Sequence, residues 1–222
     1  MPPQRARAEL EELLKASRLD VTLTTAAPWR REAHAAAPVG LQALDEALAG
    51  GLPRGQLSEL VGGRSSGRTT VLCAALAAAA ARGEAVALID TCDRFDPASA
   101  EAAGVDLATL LWVRDTGDAS RALKGMHLVL QAGGFGLVAF DLADVPSPMV
   151  RRFPHTTWLR LARAIEGSRT VALLVGAERV ARSPGGVTIA FEGAQASWPG
   201  RGDRGRWLRA LTPRPRVIGG RV

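Results

Sequence analysis

Two hydrophobic rhythms alternate along the chain. Short continuous apolar runs at 57–61, 85–90, 110–113, 137–141 and 170–176 have the length of strands and are rich in Leu, Val and Ile. Runs without polar alternation read as strands buried on both faces. Between them, 67–82, 97–103, 120–132 and 156–166 carry helical periodicity, and Gly83, Gly104 and Gly133-Gly134 supply stops. Strand-helix alternation of this kind predicts an α/β fold: a mainly parallel sheet with helices on both faces.

Both ends leave this rhythm. Residues 5–17 read as a short amphipathic helix, with Ala6, Leu10, Leu13 and Leu14 on one stripe. An extended linker follows, punctuated by Pro28 and Pro38. Beyond Gly186, the segments 187–198 and 206–217 predict two strands around the turn Pro199-Gly200-Arg201-Gly202-Asp203, a C-terminal antiparallel β-hairpin. The expected organisation is a helix and linker over 1–37, a core over 38–186, and a hairpin with a basic tail over 187–222 that belongs to the same domain.

Composition narrows the class. At 222 residues and 47% hydrophobic, the chain can bury one sizeable core without staples. Two cysteines, Cys73 and Cys92, make no disulfide framework and read as reduced thiols of a cytoplasmic protein. The start of the chain shows no apolar leader, and its longest apolar run, 71–81, is mostly alanine and too short to span a bilayer. His34, His127 and His155 stand apart, so no metal site is expected. The five tryptophans read mostly as core or edge packing.

The net charge is +6, and Lys15 and Lys124 are the only lysines. That arginine bias is what a GC-rich coding sequence produces whatever the function. The distribution is uneven all the same: the tail carries Arg201, Arg204, Arg206, Arg209, Arg214, Arg216 and Arg221 against Asp203. This is either a solvated face or a surface for phosphates or an acidic protein.

The sharpest chemical signal is Gly62-Gly63-Arg64-Ser65-Ser66-Gly67-Arg68-Thr69-Thr70, between a predicted strand and a predicted helix. A phosphate-binding loop needs that context, because backbone N–H groups and the helix N-terminus converge on an anion. Spacing is kept from Gly62 to Gly67 to Thr69, but Arg68 stands where the pattern asks for lysine. A planar guanidinium fork does not replace a compact ammonium between two phosphates.

The lead-in from Pro38 to Gly62, with Leu44-Asp45 and Gly50-Gly51-Leu52-Pro53-Arg54-Gly55, resembles the RecA recombinase family. So do 88–97, like the second core strand and its turn, and 103–111, like the next helix-to-strand passage. The resemblance implies a RecA-like, P-loop fold and sorts the chemistry. The glutamate that activates the attacking water falls on Cys92, a poor base with an ordinary pKa of about 8.5. Thr69 and Asp141 match the magnesium side. A vestigial nucleotide site of Gly62, Gly67, Arg68, Thr69, Thr70 and Asp141 is therefore expected, with no catalytic residue and no required cofactor, ATP and magnesium at most. The first DNA loop corresponds to 142–155, where Arg151, Arg152 and Phe153 could hold a phosphate and stack a base, contact a protein, or face solvent. The second is cut to 177–186, and Gly176-Ala177 replaces the Asn-Gln pair that couples nucleotide to DNA.

A shortened RecA-like chain with a damaged phosphate loop resembles the ImuA group. That resemblance implies an accessory role in SOS mutagenesis, in translesion DNA synthesis and repair, through binding RecA and a polymerase-like ImuB protein near the nucleoid. Leu10, Leu13 and Leu14 would dock RecA. Arg151, Arg152, Phe153, Arg201, Arg204, Arg206 and Arg209 would meet single-stranded DNA or a partner. The alternatives are a slow DNA-dependent ATPase or recombinase, and a cell-division inhibitor of the SOS response.

Overall fold

A computed structural model describes residues 36–183, 185–200, 202 and 205–218. Among the described residues the strands are β1 (Leu57–Gly62), β2 (Ala85–Asp90), β3 (Leu110–Arg114), β4 (Phe135–Asp141), β5 (Val171–Gly176), β6 (Thr188–Ser197) and β7 (Ala210–Ile218). They form one sheet in the order β3-β2-β4-β5-β1-β6-β7. All neighbours are parallel except β6 and β7, which pair antiparallel with an irregularity between Phe191 and Ala194. The predicted mixed sheet is present.

Strict alternation along each strand explains the continuous apolar runs. In β2, Val86 and Leu88 face one core while Ala87 and Ile89 face the other; in β4, Leu137 and Ala139 oppose Val138 and Phe140. The first core is covered by α1 (Gln42–Ala47), α2 (Arg68–Ala81) and α3 (Pro97–Ala102), through Leu44, Leu72, Leu76 and Ala100. The second is covered by α4 (Ala119–Ala132) and α6 (His155–Ile165), through Met126, Leu130, Trp158, Leu161 and Ile165. Both faces of the inner parallel strands β1, β2, β4 and β5 are thus covered, as a parallel sheet requires, whereas the far end of β6 and most of the described side chains of β7 are exposed.

Caps place the helices. The Asp96 carboxylate accepts the N–H of Ser99, and Asp118 accepts those of Ser120 and Arg121. Asp45 accepts from Val39 and Gly40 and fixes the lead-in to the sheet. Two helices were not foreseen, α1 and the single turn α5 (Ser147–Val150). The latter sits in a segment dense in proline, yet proline is accommodated in a first helical turn, where its missing N–H has no intrahelical role. The last strand was expected from residue 206 but begins at Ala210.

Candidate functional site

The phosphate-loop segment leaves β1 and enters α2 at the carboxyl end of the sheet, with Gly67 as the residue preceding α2 at φ 98°. Two of the three loop glycines, Gly62 and Gly67, are needed sterically. A Cβ on Gly62 would fall 2.8 Å from the Phe191 carbonyl oxygen, and one on Gly67 would fall 2.6 Å from the Pro213 ring. Phe191 lies on β6 and Pro213 on β7, so the hairpin is packed against the loop. Ser66 is buried with its hydroxyl unpartnered, whereas Thr69 and Thr70 are exposed.

Arg68 is turned inward. Its side chain lies in a residue only 7% exposed, and Nη1 donates to the carbonyl oxygen of Gly176 at the end of β5. Burial pulls the guanidinium pKa down from its ordinary value, while the fields of Asp141 and Asp144 oppose that pull. A buried charge needs such partners. In this arrangement the side chain at the lysine position is bonded to its own sheet.

Asp141 ends β4 beside it. Burial pushes this carboxyl up to about 6; the Ala143 N–H at 2.8 Å and the charge of Arg68 hold it down, and the charges of Asp90 and Asp144 add to the rise. Asp90 is fully committed to structure: it accepts the N–H groups of Arg94 and Phe95 and the Trp112 indole. Burial pushes the Cys92 thiol up, and the nearby Asp144, Asp141 and Asp90 push the same way, against Arg94. Asp93, next in the chain, holds Arg114 through two bonds of 2.8 Å, which turns it away from the role of a base. Thr91 carries a second buried, unpartnered hydroxyl. The site gathers a phosphate-loop backbone, a bonded arginine, acids and a thiol.

Glu59, in the middle of β1, was not singled out by sequence reasoning. It is 2% exposed, and its carboxylate accepts the N–H groups of Val180, Ala181 and Arg182, with the Thr188 hydroxyl at 3.4 Å and Arg179 at 3.7 Å. It ties residues 180–182 to β1. A carboxylate inside an apolar strand was the available signal, since a buried charge must find donors.

The first loop is less free than expected. Arg151 forms a two-pronged ion pair with Glu178 at 2.8 and 2.7 Å. Phe153 is half-buried, edge-on to the buried Trp158 with ring centroids 5.8 Å apart. Arg152 is exposed and has no ion pair among the described residues. Leu10, Leu13, Leu14, Arg201 and Arg204 lie outside the described residues; Arg206 and Arg209 are described and exposed.

The tryptophans divide. Trp158 is core, and Trp112 packs edge-on to Phe95 under the Arg114 guanidinium, 4.5 Å from its ring centre. Trp198 and Trp207 are exposed at the hairpin, against the expectation of core or edge packing. Among the described residues no helix is long and apolar enough to cross a membrane.

Comparison with known proteins places this geometry. The model of the RecA N-terminal domain family matches residues 26–150. The RecA protein of Mycobacterium ulcerans (strain Agy99) is 42% identical over 106 residues, covering 47% of this chain and 30% of that protein. The RecA protein of Cutibacterium acnes is 40% identical over 115 residues, covering 51% and 33%. The chain thus matches about a third of the length of these relatives. The crystal structure of the RadB recombinase superposes with a TM-score of 0.51 at 16% identity, covering 69% of this chain and 83% of that one. That likeness concerns the fold.

Proposed function

The chain belongs to the RecA N-terminal domain family, and we propose that it serves as an accessory protein that hydrolyses no ATP and acts by binding other proteins. The partners in this reading are RecA itself and a polymerase-like ImuB protein, and the process is SOS-induced translesion DNA synthesis. One observation carries the reading: Arg68, at the position of the phosphate-loop lysine, donates to Gly176 of its own sheet. Cys92 supports it, because a thiol whose pKa is raised supplies no base at neutral pH. A chain that keeps the family's sheet while committing its site side chains to itself retains the surfaces for assembly without the chemistry.

Retention of Thr69, of the loop backbone and of an unpartnered Ser66 hydroxyl favours a second reading, a slow ATPase that uses Arg68 in a displaced position. In that case ATP would be held by the loop N–H groups and magnesium by Thr69 and Asp141. Capture separates the two readings. The purified chain is expected to retain purified RecA and ImuB-like protein of the same organism without nucleotide. Capture that requires ATP, or no capture at all, overturns the accessory reading.

A further inference from the structure

Trp198 is 49% exposed, Trp207 62% and Leu208 49%, and all three flank one point of the fold. The two legs of the β6-β7 hairpin are pinched together there: a Cβ on Gly200 would fall 1.9 Å from the carbonyl oxygen of Gly205. Trp198 lies two residues before the pinch on one leg, and Trp207 two residues after it on the other. Arg206 and Arg209 are exposed alongside and form no ion pair among the described residues. The other two tryptophans among the described residues, Trp112 and Trp158, are both packed against phenylalanine. Two half-exposed indoles at one hairpin neck are a large apolar surface with no ring partner among the described residues.

We propose that this hairpin neck is a docking surface for a protein partner, and that Trp198, Trp207 and Leu208 insert into an apolar recess bordered by acidic side chains. The proposal rests on the accessory reading above and names the surface through which it acts. Composition points to a protein. Tryptophan and arginine are the residues that dominate binding at protein interfaces. Leu208 has no π-face for a base to stack on, but it is well suited to filling an apolar recess. Charge selects the partner's sign: residues 198–209 contain Arg201, Arg204, Arg206 and Arg209 against the single acid Asp203. An acidic border complements that excess and steers association. Strand addition is disfavoured, because β7 is an edge strand in which Pro213 and Pro215 have no N–H to offer an incoming chain. Recognition therefore runs through side chains at the neck.

The test uses the full chain, purified RecA, purified ImuB-like protein and a fluorescent oligo(dT) as probes. Trp198→Ala with Trp207→Ala is expected to weaken capture of one of the two proteins by about thirtyfold or more, the scale of an interface anchor. Arg206→Ala with Arg209→Ala is expected to weaken it less and to flatten its salt dependence. Acrylamide quenching of tryptophan fluorescence should fall when the wild-type complex forms and change little in the double tryptophan variant. The melting temperature of each variant should match wild type, since these side chains are exposed. Tryptophan substitutions that leave capture of every protein the wild type binds at wild-type strength overturn this proposal alone. Failure of wild type to capture either protein overturns the accessory reading and this proposal together. Loss of oligo(dT) binding in the tryptophan variant with protein capture intact reassigns the neck to nucleic acid and refutes the inference.

Discussion

Replacing Asp141 by Asn should stabilise the protein near neutral pH. Burial raises this carboxyl to about 6, from an ordinary value near 3.8, and the neighbouring charges of Asp90 and Asp144 add to the rise. A carboxyl pKa raised on folding means that the unfolded chain releases its proton first. Its contribution is complete below the unfolded value, near pH 4, and is lost as pH rises through about 6. A shift of about two pKa units corresponds to roughly 3 kcal/mol at pH 8. Asn keeps an oxygen for the Ala143 N–H but gives up the charge assistance of that bond, so the net gain at pH 8 is about 2 kcal/mol. Other carboxyls move oppositely; Asp115, for example, is held low by its bond to Arg121. The informative quantity is therefore the difference between variant and wild type in urea denaturation at pH 4 and at pH 8. It should be near zero at pH 4 and about 2 kcal/mol in favour of Asn at pH 8. An Asn variant less stable than wild type at pH 8, or a difference independent of pH, would refute the reasoning.

Glu59→Ala leaves three loop N–H groups without their acceptor and should cost about 3–5 kcal/mol by urea denaturation, with hydrogen exchange at 180–182 accelerated first. Gly67→Ala places a methyl group against Pro213 at a positive φ and should cost about 1–3 kcal/mol, of which Pro213→Gly restores only the steric share. Phe153→Ala should lower stability by about 2 kcal/mol because the ring packs on Trp158, whereas Arg152→Ala should stay within about 0.5 kcal/mol in the same thermal melt.

The sheet was legible because a parallel strand covered on both faces is apolar at nearly every position, as 137–140 and 171–175 are. The helix starts were legible where short-range chemistry decides them, as at Asp96 and Asp118. The site was legible as a motif and opaque as a geometry. Arg68 could be recognised as a departure from lysine, but its direction depends on a carbonyl 108 residues downstream. Glu59 finds its donors 121 to 123 residues away, beyond any local pattern. The closure of the loop by Pro213 required the hairpin to be placed beside β1, which pairing of β6 with β1 accomplishes. Trp198 and Trp207 misled for the opposite reason: large apolar residues are usually buried, and only the fold reveals where they are not.

The most direct test of the account is ATP turnover by the purified chain with magnesium and saturating single-stranded DNA, measured beside RecA of the same organism and beside the variant Arg68→Lys with Cys92→Glu. The account predicts no turnover above background for the wild-type chain, because its arginine is bonded to Gly176 and its thiol cannot activate water, and a gain for the variant. Wild-type turnover at a rate comparable to RecA would contradict it.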